Sequence, residues 1–80
     1  MIRVEIRLYA SLRKYTPQLK LGEAMEIPLR EGITMQQLIS TLRIPMSEVK
    51  RIIINGIAEE QDYILSNGDR IAIFPPVAGG

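Results

Sequence analysis

Cysteine and histidine are both missing from this 80-residue chain. Without cysteine there is no disulfide, no thiolate metal site and no thiol nucleophile. Without histidine the commonest general base and metal ligand is gone as well. An excess of one charge is also lacking: 10 Lys and Arg stand against 9 Asp and Glu. That balance argues against a nucleic-acid binder that works by neutralising phosphates. No apolar run is long enough to span a membrane and nothing reads as a signal peptide, so a cytoplasmic protein with no membrane partner is expected. Phenylalanine occurs once, as Phe74. If the chain takes part in chemistry, its side chains are poor candidates to carry it.

What is present reads as one domain. A chain of this length buries roughly 60–65% of its unfolded surface, enough for one small core. Ile2, Val4, Ile6 and Leu8 alternate with Arg3, Glu5, Arg7 and Tyr9, which predicts a strand with one buried face. Ala10 to Tyr15 predicts a short helical turn with Leu12 and Tyr15 inward, stopped by Thr16-Pro17. Met25 to Arg30 predicts a second strand, on an edge because of Pro28, pairing with the first in a wide hairpin. Thr34 and Gln37 form a capping box for a helix near Met35 to Leu42, with Ile33 and Leu38 as a hydrophobic staple. Met35, Leu38, Ile39 and Leu42 give that helix one apolar face. Ser47 to Val49 suggests one more turn after Pro45. Arg51 to Asn55 predicts a third strand, Asn55-Gly56 a tight turn, and Ile57-Ala58 a short strand. Asp62 is read as capping a short turn that carries Tyr63, Ile64 and Leu65. Asn67-Gly68-Asp69 turns the chain into a last strand, Arg70 to Phe74.

One helix then has one sheet face to cover. The arrangement that satisfies this order is an α+β β-grasp, a mixed sheet with the first and last strands parallel in its centre. The body spans residues 1–74 and an extended tail spans 75–80. Pro75 and Pro76 cannot donate to a ladder and favour an extended exit. Val77, Ala78, Gly79 and Gly80 add no bulk or charge. At about 3.3 Å per residue the tail reaches roughly 20 Å. It suits a narrow tunnel in a partner, with the Gly80 carboxylate at its tip. Ala72 and Phe74 should face away from the helix, with Ile53 beside them, as a docking patch at the root of the tail. Arg3, Arg7, Arg30 and Arg70 share that face with Glu5 and Glu26, mainly as cross-strand pairs, with Arg70 also able to steer a partner. Glu59, Glu60 and Asp62 cluster without a fixed geometry, so no metal site is expected. Gly22 and Gly32 are not spaced as a phosphate loop.

Arg7-Leu8-Tyr9-Ala10-Ser11-Leu12-Arg13, the Thr34 helix, Asn55-Gly56, Asn67-Gly68-Asp69 and above all Phe74 to Gly80 together resemble the small, sulfur-carrying subunit of molybdopterin synthase, a ubiquitin-like family. The resemblance covers essentially the whole chain. It implies that an ATP-using, ubiquitin-activating-type adenylyltransferase converts Gly80 to a glycyl adenylate, and that the adenylate becomes a thiocarboxylate (1-thioglycine). The tail, Pro75 to Gly79, then enters the large synthase subunit, and the sulfur passes to cyclic pyranopterin monophosphate for the molybdenum or tungsten cofactor. No cofactor is bound directly and ATP is the activating enzyme's. The chain is then a carrier subunit with no active site of its own. A thiamine-pathway sulfur carrier shares the fold and the Gly-Gly end but is typically shorter. A ubiquitin-like protein modifier would use the same tail for isopeptide bonds with lysines.

Overall fold

The computed structural model describes residues 1–18 and 23–76. Five strands form one sheet: β1 (Ile2–Leu8), β2 (Met25–Leu29), β3 (Arg51–Ile54), β4 (Ile57–Glu59) and β5 (Arg70–Phe74). The spatial order is β2-β1-β5-β3-β4. β1 and β5 are parallel and central, with Ile6 opposite Ile71, and the other neighbours are antiparallel. This is the β-grasp expected from the order of elements. A single α-helix, α1 (Met35–Thr41), covers one face. Two short 3-10 turns, Ala10–Tyr15 and Met46–Glu48, flank the sheet.

Strict alternation makes the core. Ile2, Val4, Ile6 and Leu8 of β1, Ile71 and Ile73 of β5, and Ile52 and Ile54 of β3 are all buried against Met35, Leu38 and Ile39 of α1. Leu12 from the first 3-10 turn is fully buried beside them. Leu42, expected in the same face, is half-buried. α1 is seven residues long and its start is doubly fixed. The Thr34 hydroxyl accepts from the Gln37 N–H at 3.2 Å, and the Gln37 amide oxygen accepts from the Thr34 N–H at 3.0 Å. The Met35 and Gln36 N–H groups donate to the carbonyls of Tyr63 and Gln61. Those carbonyls explain a departure from the sequence reading. Instead of a turn capped by Asp62, the chain through Tyr63, Ile64 and Leu65 runs extended beside the start of α1, with Ile64 bridging Thr34.

The helix ends by a different device. Arg43 sits at φ 62°, the left-handed region that favours glycine. The Ile44 N–H donates to the Ile39 carbonyl and the Arg43 N–H to that of Ser40, a Schellman closure built on arginine. At the sheet edge, the Arg3 N–H and C=O are taken by Asn67 and Gly68 on the β5 side. Pro28, opposite Arg3, therefore turns its nitrogen outward, and the edge loses a donor that could recruit another strand.

Candidate functional site

The face of the sheet away from α1 is assembled by the same alternation. Register places Arg7 opposite Ala72, Ala72 opposite Ile53, and Ile53 opposite Ala58. The next row holds Phe74 opposite Arg51. Phe74, Ala72, Ile53 and Arg70, picked out from the sequence, are thus brought onto one surface. Ala72, Ile53 and Phe74 are half-buried and Arg70 is exposed. Arg70 and Arg7 both reach Glu5, at 3.6 and 3.8 Å. Arg3 and Glu26 occupy the same face beyond them, and Arg30 follows the end of β2. The result is a small apolar centre with a rim of Arg7, Arg51 and Arg70.

Two members of this surface escaped the sequence reading. Tyr9 lies against Phe74 with ring centroids 4.6 Å apart and planes 8° from parallel. Arg51 sits directly beside Phe74 across the β3–β5 pair. The signal for both was present in the alternation, since Tyr9 shares parity with Arg7, and Arg51 with Ile53. The Tyr9 N–H donates to the Ile73 carbonyl at 3.2 Å, and the Lys50 N–H donates to the Phe74 carbonyl at 2.8 Å. The last two carbonyls of β5 are therefore held from both sides. Pro75 follows half-buried and Pro76 exposed. The remaining tail positions named from the sequence, Val77, Ala78, Gly79 and Gly80, lie outside the described residues.

Two polar clusters brace the surroundings. Glu48 receives the Tyr15 hydroxyl at 2.9 Å and the Lys14 ammonium at 3.0 Å, joining the two 3-10 turns. Hydrogen bonding to Lys14, then to Tyr15, holds the Glu48 carboxyl below the usual carboxylate range. At the other end of β5, buried Asp69 accepts from the Asn55 side-chain amide at 2.9 Å, the Ser66 N–H at 2.8 Å and the Tyr63 hydroxyl at 3.4 Å. Burial, and then the Asp69 charge, pushes the Tyr63 hydroxyl above its ordinary value. Asp69 is a structural hub that the sequence reading saw only as part of a turn. Glu59, Glu60 and Asp62 do not converge, and no cluster of three metal-ligating side chains occurs among the described residues.

A surface of this kind can dock and orient a partner. Comparison with known proteins agrees in fold. The family model described as Mut7-C ubiquitin matches residues 1–79. A Pyrococcus furiosus protein assigned as molybdopterin converting factor, subunit 1, superposes with a TM-score of 0.74 at 24% identity, covering 96% of this chain and 100% of that one. SAMP1 from Haloferax volcanii gives a TM-score of 0.70 at 22% identity, covering 98% and 99%. The complex of subunits 1 and 2 of molybdopterin-converting factor from Helicobacter pylori gives 0.59 at 23% identity, covering 99% and 100%. No curated protein sequence matches the chain. At these identities the structural likeness establishes the ubiquitin-like fold.

Proposed function

Since this chain belongs to the Mut7-C ubiquitin family, we propose that it is a sulfur carrier whose working group is the carboxyl of Gly80. The supporting observation is the root of the tail. The central strand β5 ends at Phe74 beside an apolar, arginine-rimmed surface, and Pro75, half-buried, and Pro76, exposed, follow it outside the strand. A carboxylate resists attack by sulfur because its leaving group is poor. An activating enzyme of the ubiquitin type transfers AMP from ATP to the Gly80 carboxylate and releases pyrophosphate. A persulfide sulfur then displaces AMP, and a thiol cleaves the resulting S–S bond to leave a thiocarboxylate. The chain's part is to dock through Phe74, Ala72, Ile53 and Arg70 and to present the tail, Pro75 to Gly79, to a narrow channel. It has no thiol or imidazole of its own. The acceptor in this reading is cyclic pyranopterin monophosphate held by the large subunit of molybdopterin synthase.

The test is mass spectrometric. Incubated with a cognate activating enzyme, ATP and a persulfide donor, the protein gains the sulfur-for-oxygen mass difference at Gly80. A form extended by one residue folds equally well but is poorly charged or fails to deliver sulfur, because reacting groups tolerate only small misplacement. Molybdopterin formation by the untrimmed extended form at the native rate would sink the reading. Isopeptide-linked lysines in place of thiocarboxylate would establish the modifier role instead.

A further inference from the structure

We propose that Tyr9 is a positioning residue that sets the direction in which the tail leaves the sheet; this rests on the carrier reading above. Tyr9 grips the end of β5 twice, by its N–H on the Ile73 carbonyl and by its ring on that of Phe74. The opposite side is held by the Lys50 N–H on the Phe74 carbonyl. Pro75 has no N–H and a fixed φ, so the orientation of Phe74 passes directly into Pro75-Pro76.

The chain accepts strain to keep Tyr9 there. Ala10, the next residue, has φ 52°, a left-handed conformation that an L-residue with a Cβ rarely adopts. That bend ends β1 and sends the chain into the first 3-10 turn, whose Leu12 is anchored in the core. Strain of this type persists where the surrounding structure over-determines it, and it concentrates at functional positions. Lys14 and Tyr15 of that turn bind Glu48, and Glu48 lies two residues before Lys50. The contacts close a ring: Tyr9, the first turn, Glu48, Lys50, Phe74 and back to Tyr9. Phe74, the last residue before the tail, is a member of this ring, and no residue of the tail is.

Once the carrier has docked, bringing the tail to the partner's reacting centre is an intramolecular step. Misdirection at the root therefore lowers kcat, whereas loss of a docking contact raises KM. Steady-state adenylation, followed by ATP–pyrophosphate exchange, is compared for the native protein, Tyr9→Phe, Tyr9→Ala and Tyr9→Leu. Tyr9→Leu keeps bulk and the backbone N–H but loses the flat ring, which covers the case where Tyr9→Ala fails to fold. Expected is a kcat about ten-fold lower for Leu and Ala, with KM moved by less than kcat, and a kcat for Tyr9→Phe, which keeps the ring, nearer to native than either. A rise in KM at unchanged kcat would make Tyr9 a docking contact and overturn the proposal. A second readout is independent of any enzyme. Amide hydrogen exchange at Lys50 N–H should accelerate at least about ten-fold in Tyr9→Leu, while Asn55 N–H, bonded to the Arg70 carbonyl at the far end of the same ladder, stays protected. Equal acceleration at both sites, or none at Lys50, also overturns it. Failure of the native protein to be adenylated at all would count against the carrier reading alone, and the exchange experiment would still decide the ring of contacts.

Discussion

Arg43 illustrates how much a single residue can hold a fold slightly off its optimum. Its left-handed backbone closes α1 at a position where glycine is the unstrained choice. The side chain is exposed. Arg43→Gly should therefore stabilise the domain by about 1 kcal/mol, less the extra freedom glycine gives the unfolded chain. Net of that freedom, the melting temperature of a domain of this size should rise by roughly 2–3 °C, measurable by calorimetry. A clearly lowered midpoint would show that the arginine makes compensating contacts. At this scale the sequence was legible where burial follows a period. The isoleucines of β1 and β5, and Leu38 and Ile39 of α1, announce their faces. It was silent where one polar atom serves several distant segments. Nothing in Asn67-Gly68-Asp69 says that the Asp69 carboxylate will gather Asn55, Tyr63 and Ser66, because those partners meet only after the sheet has formed. The stack of Tyr9 on Phe74 is hidden for the same reason.

Between elements, the two 3-10 turns are tied by one carboxylate, and its titration has a definite sign. The folded-state pKa of Glu48 is depressed, mainly by its hydrogen bond to Lys14. The stability it contributes is thus fully present above the unfolded carboxylate value of 4.5 and is lost as pH falls below it toward the folded value. Lys14 is raised by the same hydrogen bond, so its contribution is present below the unfolded ammonium value of 10.5 and fades as pH climbs through the higher folded value. Glu48→Gln should flatten part of both limbs. Denaturant midpoints taken at about pH 3, 7 and 11 should differ less in the variant than in the native protein, and equal pH dependence would discard the tie. Both side chains are solvated, so the change in midpoint is small. Boundaries at this scale were close: β1, β2, β3 and β5 start where alternation predicts. The miss was Tyr63 to Leu65, where carbonyls committed to the first N–H groups of α1 keep the chain extended. A local turn signal cannot report an obligation to a helix that starts at Met35.

For the molecule as a whole, one face of the sheet is spent on the core and the other lies away from α1. If the activating enzyme and the sulfur-accepting partner both read the surface around Phe74, they compete for the carrier. Phe74→Ala should weaken both, each by at least about 2 kcal/mol if the ring is an anchor, while the domain stays folded because that side chain points away from α1. Competition binding with the two purified partners measures this, and a ternary complex would refute it. The topology that offers this surface was legible from element order alone, since a single helix over these strands leaves few other arrangements. The parallel pairing of β1 with β5 carries a consequence in time. Ile6 faces Ile71, so the two central strands of the sheet are made at opposite ends of the domain's synthesis. The central ladder cannot close on the ribosome until β5 has emerged, and pairings this distant in sequence form more slowly than local ones. A nascent chain that stops short of Phe74 has no central ladder, and its apolar strands are left open to proteases and chaperones. Completion of the fold thus marks that translation has reached the root of the tail, and a partner that docks only on the assembled sheet never meets a chain that stops short of β5.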